Sequence, residues 1–424
     1  MKQKIINSIK HPLISGSIIV FLGSTLASVF NFIFNLYMSR NLTVSDYGIL
    51  ASLVSILSLA LVIANAAVPM IINFAAHYFA KNDLASVRGL FRKVTMYYIY
   101  VGAFLFLLFL VFPLQIGKFF NIHQTFLIIL CGLCIFIAFI GMVTQALLQA
   151  KLSFGFLSVS SFIAALTKLV FGVVFFMIGW GIAGAMGAMF VSLVISYLIT
   201  FYPLRFLFSK DLHTPTFNMK ELVTYGAPAA IASFCVTLFI STDIILIKHF
   251  FSPDAAGIYA GLSLVGRVIF FLTSPIGMVM FPLISQKYAK KENYNNTFLL
   301  SLIIVLIPSL AITIFYFLFP AYSINIFIKK KEYLQAANLL GFFGIFITVY
   351  SLLGVFTSFF LSIKKTKIWI PISLAALAQL ILIWLYHQTF LQIITISLTV
   401  TSMLLIFFVF YYFRIQKSVV TIQN

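Results

Sequence analysis

Acidic side chains are the scarcest feature of this chain: 8 Asp and Glu stand among 424 residues, against 27 Lys and Arg, and charged residues of all kinds make up 8%. Soluble domains carry about a quarter of their residues charged, so a water-soluble globular surface is excluded. Cysteine is almost as rare. Cys131, Cys134 and Cys235 all fall inside apolar runs, which excludes a disulfide framework and makes the C-x-x-C of 131–134 a packing feature of an apolar helix. Also missing are a G-x-x-x-x-G-K-[ST] phosphate loop, an H-E-x-x-H metal pair and any connection long enough to hold a catalytic domain. An ATP-driven pump or an enzyme with an external domain has nowhere to put its site. No cofactor or metal is expected, and the protein is read as a non-enzyme.

What the chain has is hydrocarbon: 62% of its residues are hydrophobic, including 50 Phe and 19 Tyr. A bilayer core about 30 Å thick takes roughly 20 apolar residues per helix. Apolar runs predict spans near 13–38, 47–76, 94–114, 126–149, 154–178 and 182–204, then 222–249, 255–285, 297–319, 334–362, 368–386 and 389–413. The fold class is therefore an all-α membrane protein with about twelve transmembrane helices. The first run follows Lys2, Lys4 and Lys10 but is too long for a signal-peptide core, so it is read as a retained helix.

Lys and Arg favour the connections on the side of the two termini by about three to one, which places both termini in the cytoplasm of a multi-pass cell (inner) membrane protein. The cluster Lys329, Lys330, Lys331 breaks that bias on the outer side. The net charge of +19 reads as topology signal plus attraction to anionic phospholipids. It is strung over many short loops without an aromatic-laced patch, so no nucleic-acid partner is expected.

The chain also repeats itself. Laying Asp46 over Ala255 without gaps sets Tyr47-Gly48-Ile49-Leu50-Ala51 over Ala256-Gly257-Ile258-Tyr259-Ala260. The same register sets Phe79-Ala80-Lys81-Asn82-Asp83 over Tyr288-Ala289-Lys290-Lys291-Glu292. This predicts two six-helix lobes, 1–204 and 222–424, joined by a cytoplasmic linker at 205–221 and related by a pseudo-twofold axis along the membrane normal.

Ionisable groups at bilayer depth cost from about 3 to more than 10 kcal/mol, so they face a cavity or a partner. Lys168, Arg267 and Asp243 lie within predicted spans. One reading sets Lys168 and Arg267 in a cationic cavity, where ammonium and guanidinium donors suit phosphate. In the other, Arg267 and Asp243 neutralise each other, and Lys168 finds a carbonyl or a headgroup. Asp243 is also a candidate proton or sodium coupling site. Weaker candidates are His77, near the inner end of the second span, and Arg40, at the outer end of the first. Pro69, Pro228, Pro275, Pro282 and Pro308 mark candidate hinges.

The segment Arg40-Asn41-Leu42-Thr43-Val44-Ser45-Asp46-Tyr47-Gly48 resembles the signature joining the first two spans of bacterial polysaccharide flippases. Asp243-Ile244-Ile245-Leu246-Ile247, leading through Ser252-Pro253 to Ala256-Gly257-Ile258-Tyr259-Ala260, is similar to the matching segment of the second half. The resemblance implies the fold of the multidrug, oligosaccharidyl-lipid and polysaccharide exporter superfamily, with alternating access around a cationic cavity to which Arg267 contributes. It further implies an undecaprenyl-pyrophosphate-linked oligosaccharide as cargo, turned from the inner to the outer leaflet for O-antigen or capsule assembly. A coupling ion, H+ or Na+, and a polysaccharide polymerase with its assembly proteins are the implied partners. Twelve spans set the chain apart from the fourteen-span lipid II flippases. A cation-coupled multidrug exporter and a membrane polysaccharide polymerase or ligase remain the competing readings.

Overall fold

The computed structural model describes residues 12–65, 68–208, 219–289 and 292–423, and no strand occurs among them. The chain divides into two compact units, Met1–Ala230 and Ile231–Asn424. Residues 209–218 of the expected linker lie outside the described residues.

In the first unit, helix α1 (Pro12–Asn41) is followed by α2 (Val44–Asn65) and α3 (Val68–Ala80), which together occupy the second predicted span. Then come α4 (Leu84–Val111), the short α5 (Pro113–Phe120), α6 (Thr125–Ala150), α7 (Phe154–Met177) and α8 (Gly181–Thr200), closed by a 3-10 turn at Tyr202–Phe208. The core helix is α6, which packs against α2, α3, α4 and α8, while α1 packs on α7 and α7 on α8. Burial follows: 56% of the apolar window of α6 is enclosed, against 11% for α4, whose remaining surface is left for lipid. Both cysteines of α6 are buried free thiols, and Cys131 sits with its sulfur 3.7 Å from the Leu53 carbonyl, so the C-x-x-C serves packing.

The second unit runs through the same series. Helix α9 (Met219–Phe250), which begins before the unit boundary, is followed by α10 (Pro253–Gly266) and α11 (Val268–Ala289), then α12 (Asn295–Leu318) and the short α13 (Pro320–Phe327). A 3-10 turn at Lys331–Leu339 leads into α14 (Leu340–Ser362), and α15 (Trp369–Leu385) and α16 (Phe390–Gln423) complete the series. The core helix here is α14, packed against α11, α12 and α16.

Eleven helices among the described residues are long and apolar enough to cross a bilayer, and α1 lies where the remaining predicted span falls. The protein is a multi-pass membrane protein of two six-helix lobes.

Local chemistry explains why the two series match. In the register that lays Asp46 over Ala255, Thr43 falls on Ser252, and each is a helix N-cap. Thr43 Oγ1 accepts the Asp46 N–H at 3.1 Å, and Ser252 Oγ accepts the Ala255 N–H at 3.3 Å. Each short helix opens with a Phe-Pro pair, Phe112-Pro113 and Phe319-Pro320, with proline in the first turn where its missing N–H costs nothing. Each then leaves through a left-handed residue, Asn121 (φ 49) or Lys329 (φ 59), and each core helix is followed by another, Leu152 (φ 58) or Lys364 (φ 59).

The chain breaks elsewhere than at the proline hinge candidates. Helices α9 and α12 continue through Pro228 and Pro308, α11 continues through Pro275 and Pro282, and Pro69 stands in the first turn of α3. The eighth span instead breaks at Arg267.

Candidate functional site

A broken helix inside hydrocarbon leaves backbone groups that no water can satisfy. In each unit a tyrosine of the following span bonds a carbonyl near a helix end. Tyr98 of α4 donates its hydroxyl to the Ala64 carbonyl at 2.6 Å, and Tyr316 of α12 donates to the Val265 carbonyl at 2.7 Å. Ala64 and Val265 are the penultimate residues of α2 and α10.

The break in the second unit carries the charge. Arg267 stands between α10 and α11, its own N–H bonded to the Ser263 carbonyl at 2.9 Å, so its cation lies where the carbonyl end of α10 is partially negative. Its Nη2 donates to the Ile240 carbonyl of α9 and lies 3.9 Å from Asp243 Oδ1. Asp243 is fully buried, and its oxygens are held by other donors: the Ile244 N–H at 2.8 Å on Oδ1 and the Tyr259 hydroxyl at 2.8 Å on Oδ2. The Ile244 N–H and the Ile240 carbonyl are the two ends of one i to i−4 position of α9. The acid bonds one end and the arginine the other, so the pair is stitched into the helix backbone.

The two charges do meet, although their positions along the sequence put them at different depths, because α9 and α10 are neighbours. At 3.9 Å the contact is Coulombic, with no hydrogen bond between the two side chains. The Arg267 side chain is 20% exposed, and its Nε has no partner among the described residues. A guanidinium has five donors, so donors remain for an anionic oxygen.

Lys168 makes a different contact. Its ammonium stands 4.8 Å from the centre of the Phe34 ring, a cation–π arrangement. Phe34 is fully buried and lies against Gly172, one turn beyond Lys168, where a Cβ would come within 2.6 Å of the ring. His77 is exposed on α3, edge-on to Tyr78, and Arg40 sits half-buried in the last turn of α1. Lys248 is 1% exposed near the end of α9.

Sequence reasoning missed the tyrosines. Tyr259 falls within the quoted repeat segment, opposite Leu50, and that exchange of an aliphatic for a hydroxyl beside a lone intramembrane acid was the available signal. It also missed Gln379, fully buried, whose Nε2 donates to the Phe239 carbonyl at 3.1 Å and to Ser397 at 2.8 Å. No group of three or more His, Cys, Asp and Glu among the described residues could hold a metal ion.

Comparison with known proteins places this geometry in context. A family model described as polysaccharide biosynthesis protein matches residues 13–288, and a second, MatE, matches residues 228–386. No curated protein matches in sequence. Among solved structures, an inward-facing multidrug resistance MATE family transporter of the MOP superfamily is 12% identical, with a TM-score of 0.75 over 92% of this chain and 96% of its own. The lipid II flippase MurJ, in an inward closed conformation, is 13% identical, with a TM-score of 0.71 over 94% of this chain and 87% of its own. An outward-facing MATE family transporter is 15% identical, with a TM-score of 0.63 over 96% of both chains. At these identities the likeness establishes a shared fold, that of MOP superfamily transporters and flippases.

Proposed function

Because this chain belongs to the polysaccharide biosynthesis protein family, we propose that it is a flippase that turns an undecaprenyl-pyrophosphate-linked oligosaccharide from the inner to the outer leaflet for O-antigen or capsule assembly. The family match over residues 13–288 carries this reading. The intramembrane cation Arg267 supports it, since its uncommitted donors suit a pyrophosphate oxygen. Lys168 adds a second positive charge in the first lobe. Asp243, bonded to Tyr259 and beside Arg267, is the group through which a proton or sodium ion would couple to the cycle. In this reading the lobes 1–204 and 222–424 alternate access about the 205–221 linker, which lies in the cytoplasm with both termini of this inner-membrane protein.

A strain lacking the gene should accumulate lipid-linked repeat units on the cytoplasmic leaflet. The native chain should restore surface polysaccharide, Arg267→Lys should restore part of it, and the double variant Arg267→Ala, Lys168→Ala should insert normally and restore none. Normal surface polysaccharide in the deletion strain would overturn the proposal.

The MatE match over residues 228–386, which spans Asp243 and Arg267, favours a second reading as a cation-coupled multidrug exporter. That reading requires the deletion strain to become drug-sensitive, and an unchanged sensitivity profile removes it. A polymerase or ligase would instead leave single repeat units on the outer leaflet.

A further inference from the structure

The first unit contains a cavity of about 190 Å³ whose polar lining comes from Asn65, Gln145, Gln149, Ser158 and Ser161. Apolar walls, Leu157 among them, complete it, and no ionisable side chain lines it. It opens beside the end of α2, between the last turns of α6 and the first turns of α7. The charge pattern of the sequence assigns that end of α6 and α7 to the cytoplasmic side. Neither the Gln145 nor the Gln149 carboxamide is bonded to another side chain or to backbone among the described residues. Asn65 and Ser161 direct their donors to the Leu61 and Leu157 carbonyls of their own helices, which leaves their oxygens to accept.

The chemistry of that lining is selective. Carboxamides donate and accept, as each hydroxyl of a sugar does. A site with no charged side chain offers no ion pair to a phosphate or to a cationic drug. Its volume falls below the roughly 300–1,000 Å³ typical of drug-sized ligand sites, so a single ring is the scale it suits. We propose that this cavity is a sugar subsite, taking one neutral, hydroxyl-bearing ring of the cargo, separate in chemistry from the cationic group at Arg267. The proposal rests on the flippase reading and names how the head of the cargo is recognised. Apolar pockets discriminate weakly, whereas sites built to hydrogen-bond a hydroxyl reject ligands that lack it.

The test uses the full chain in nanodiscs and two probes, farnesyl pyrophosphate and farnesyl pyrophosphate bearing one N-acetylhexosamine. Their affinities are measured by calorimetry. The native chain should bind the sugar-bearing probe at least tenfold more tightly. Gln145→Leu should bring the ratio of the two affinities to about one, Ser161→Ala should reduce it severalfold, and binding of the bare probe reports that each variant is folded. A native chain that binds both probes equally, or a Gln145→Leu variant that keeps the native ratio, overturns the sugar subsite while leaving the flippase reading intact. Binding of neither probe removes the flippase reading and the subsite with it.

Discussion

The two halves of this protein share a scaffold but not their chemistry. In the register of the internal repeat, Phe34 of the first unit falls on Asp243 of the second, and each faces an intramembrane cation: Lys168 over the Phe34 ring, Arg267 beside the Asp243 carboxylate. The scaffold around them is matched in N-caps, short Phe-Pro helices and left-handed exits. A repeat preserves what backbone geometry requires, because backbone polar groups at membrane depth have no water to satisfy them. Side chains that the backbone does not require are free to diverge between the halves. The first half offers an aromatic face and an uncharged polar cavity, the second a charged pair.

The largest test of that contrast removes each cation. Truncating one partner of a buried ion pair costs about 3–5 kcal/mol, and the long 3.9 Å contact and partial exposure of Arg267 put Arg267→Leu near the lower figure. The double variant Arg267→Leu, Asp243→Asn should recover part of the loss. Lys168→Met in the first half loses a cation–π contact of about 1–2 kcal/mol and gains by no longer holding an ammonium at depth, so its stability should change little. Thermal unfolding in detergent reads both, and equal losses at the two cations would break the comparison.

A second difference lies where the halves align. Ser52 of α2 is buried with its hydroxyl on the Gly48 carbonyl, and its counterpart in α10 is Gly261. A Cβ on Gly261 would lie 2.1 Å from the fully buried Tyr333 ring. Gly261→Ser should therefore destabilise by about 1–3 kcal/mol through overpacking, while Ser52→Gly should cost about 0.5 kcal/mol from helix propensity alone. A Tyr333→Leu background should relieve the first effect and leave the second unchanged.

The tyrosine caps predict similarity instead. Tyr98→Phe and Tyr316→Phe each leave a buried carbonyl without its donor, at about 1–3 kcal/mol. The two losses should agree within their errors, since each removes one donor from one buried carbonyl, and a loss at only one site would show that the other carbonyl finds a second donor.

How much of this the sequence disclosed follows from what kind of signal each feature leaves. The spans were legible because hydrocarbon thickness imposes runs of apolar residues, and the repeat because its ends carry polar, turn-forming residues such as Asp46, Asn82 and Asp83. The break at Arg267 was not. Prolines advertise a bend that α12 absorbs without interruption at Pro308, whereas the break at Arg267 follows a single glycine, Gly266, one of many in the chain, and depends on tertiary partners, Ile240 and Tyr316. Candidate charges stood out by their rarity, so Arg267, Asp243 and Lys168 were found. Their partners were missed because Tyr259 and Phe34 look like ordinary members of apolar runs. The cavity lined by Gln145 and Gln149 was invisible for the same reason, since uncharged amides at helical spacing mark nothing until α6 and α7 are packed together.

The smallest expected effect tests the repeat at its most local. Thr43→Ala and Ser252→Ala each remove an N-cap, typically worth about 1 kcal/mol, at the two positions that coincide in the register. The losses should differ in a defined direction. Pro253 follows Ser252 directly, and proline at the first helical position presets the backbone and removes one of the donors that a cap must serve. Val44 follows Thr43 and does neither. Ser252→Ala should therefore cost less than Thr43→Ala, and Pro253→Ala should raise the cost of Ser252→Ala towards that of Thr43→Ala. Thermal unfolding of the four variants measures this. A larger loss at Ser252 in the native background would mean that the α10 start depends on its cap for more than helix initiation, and the two helix starts would no longer count as copies of one device.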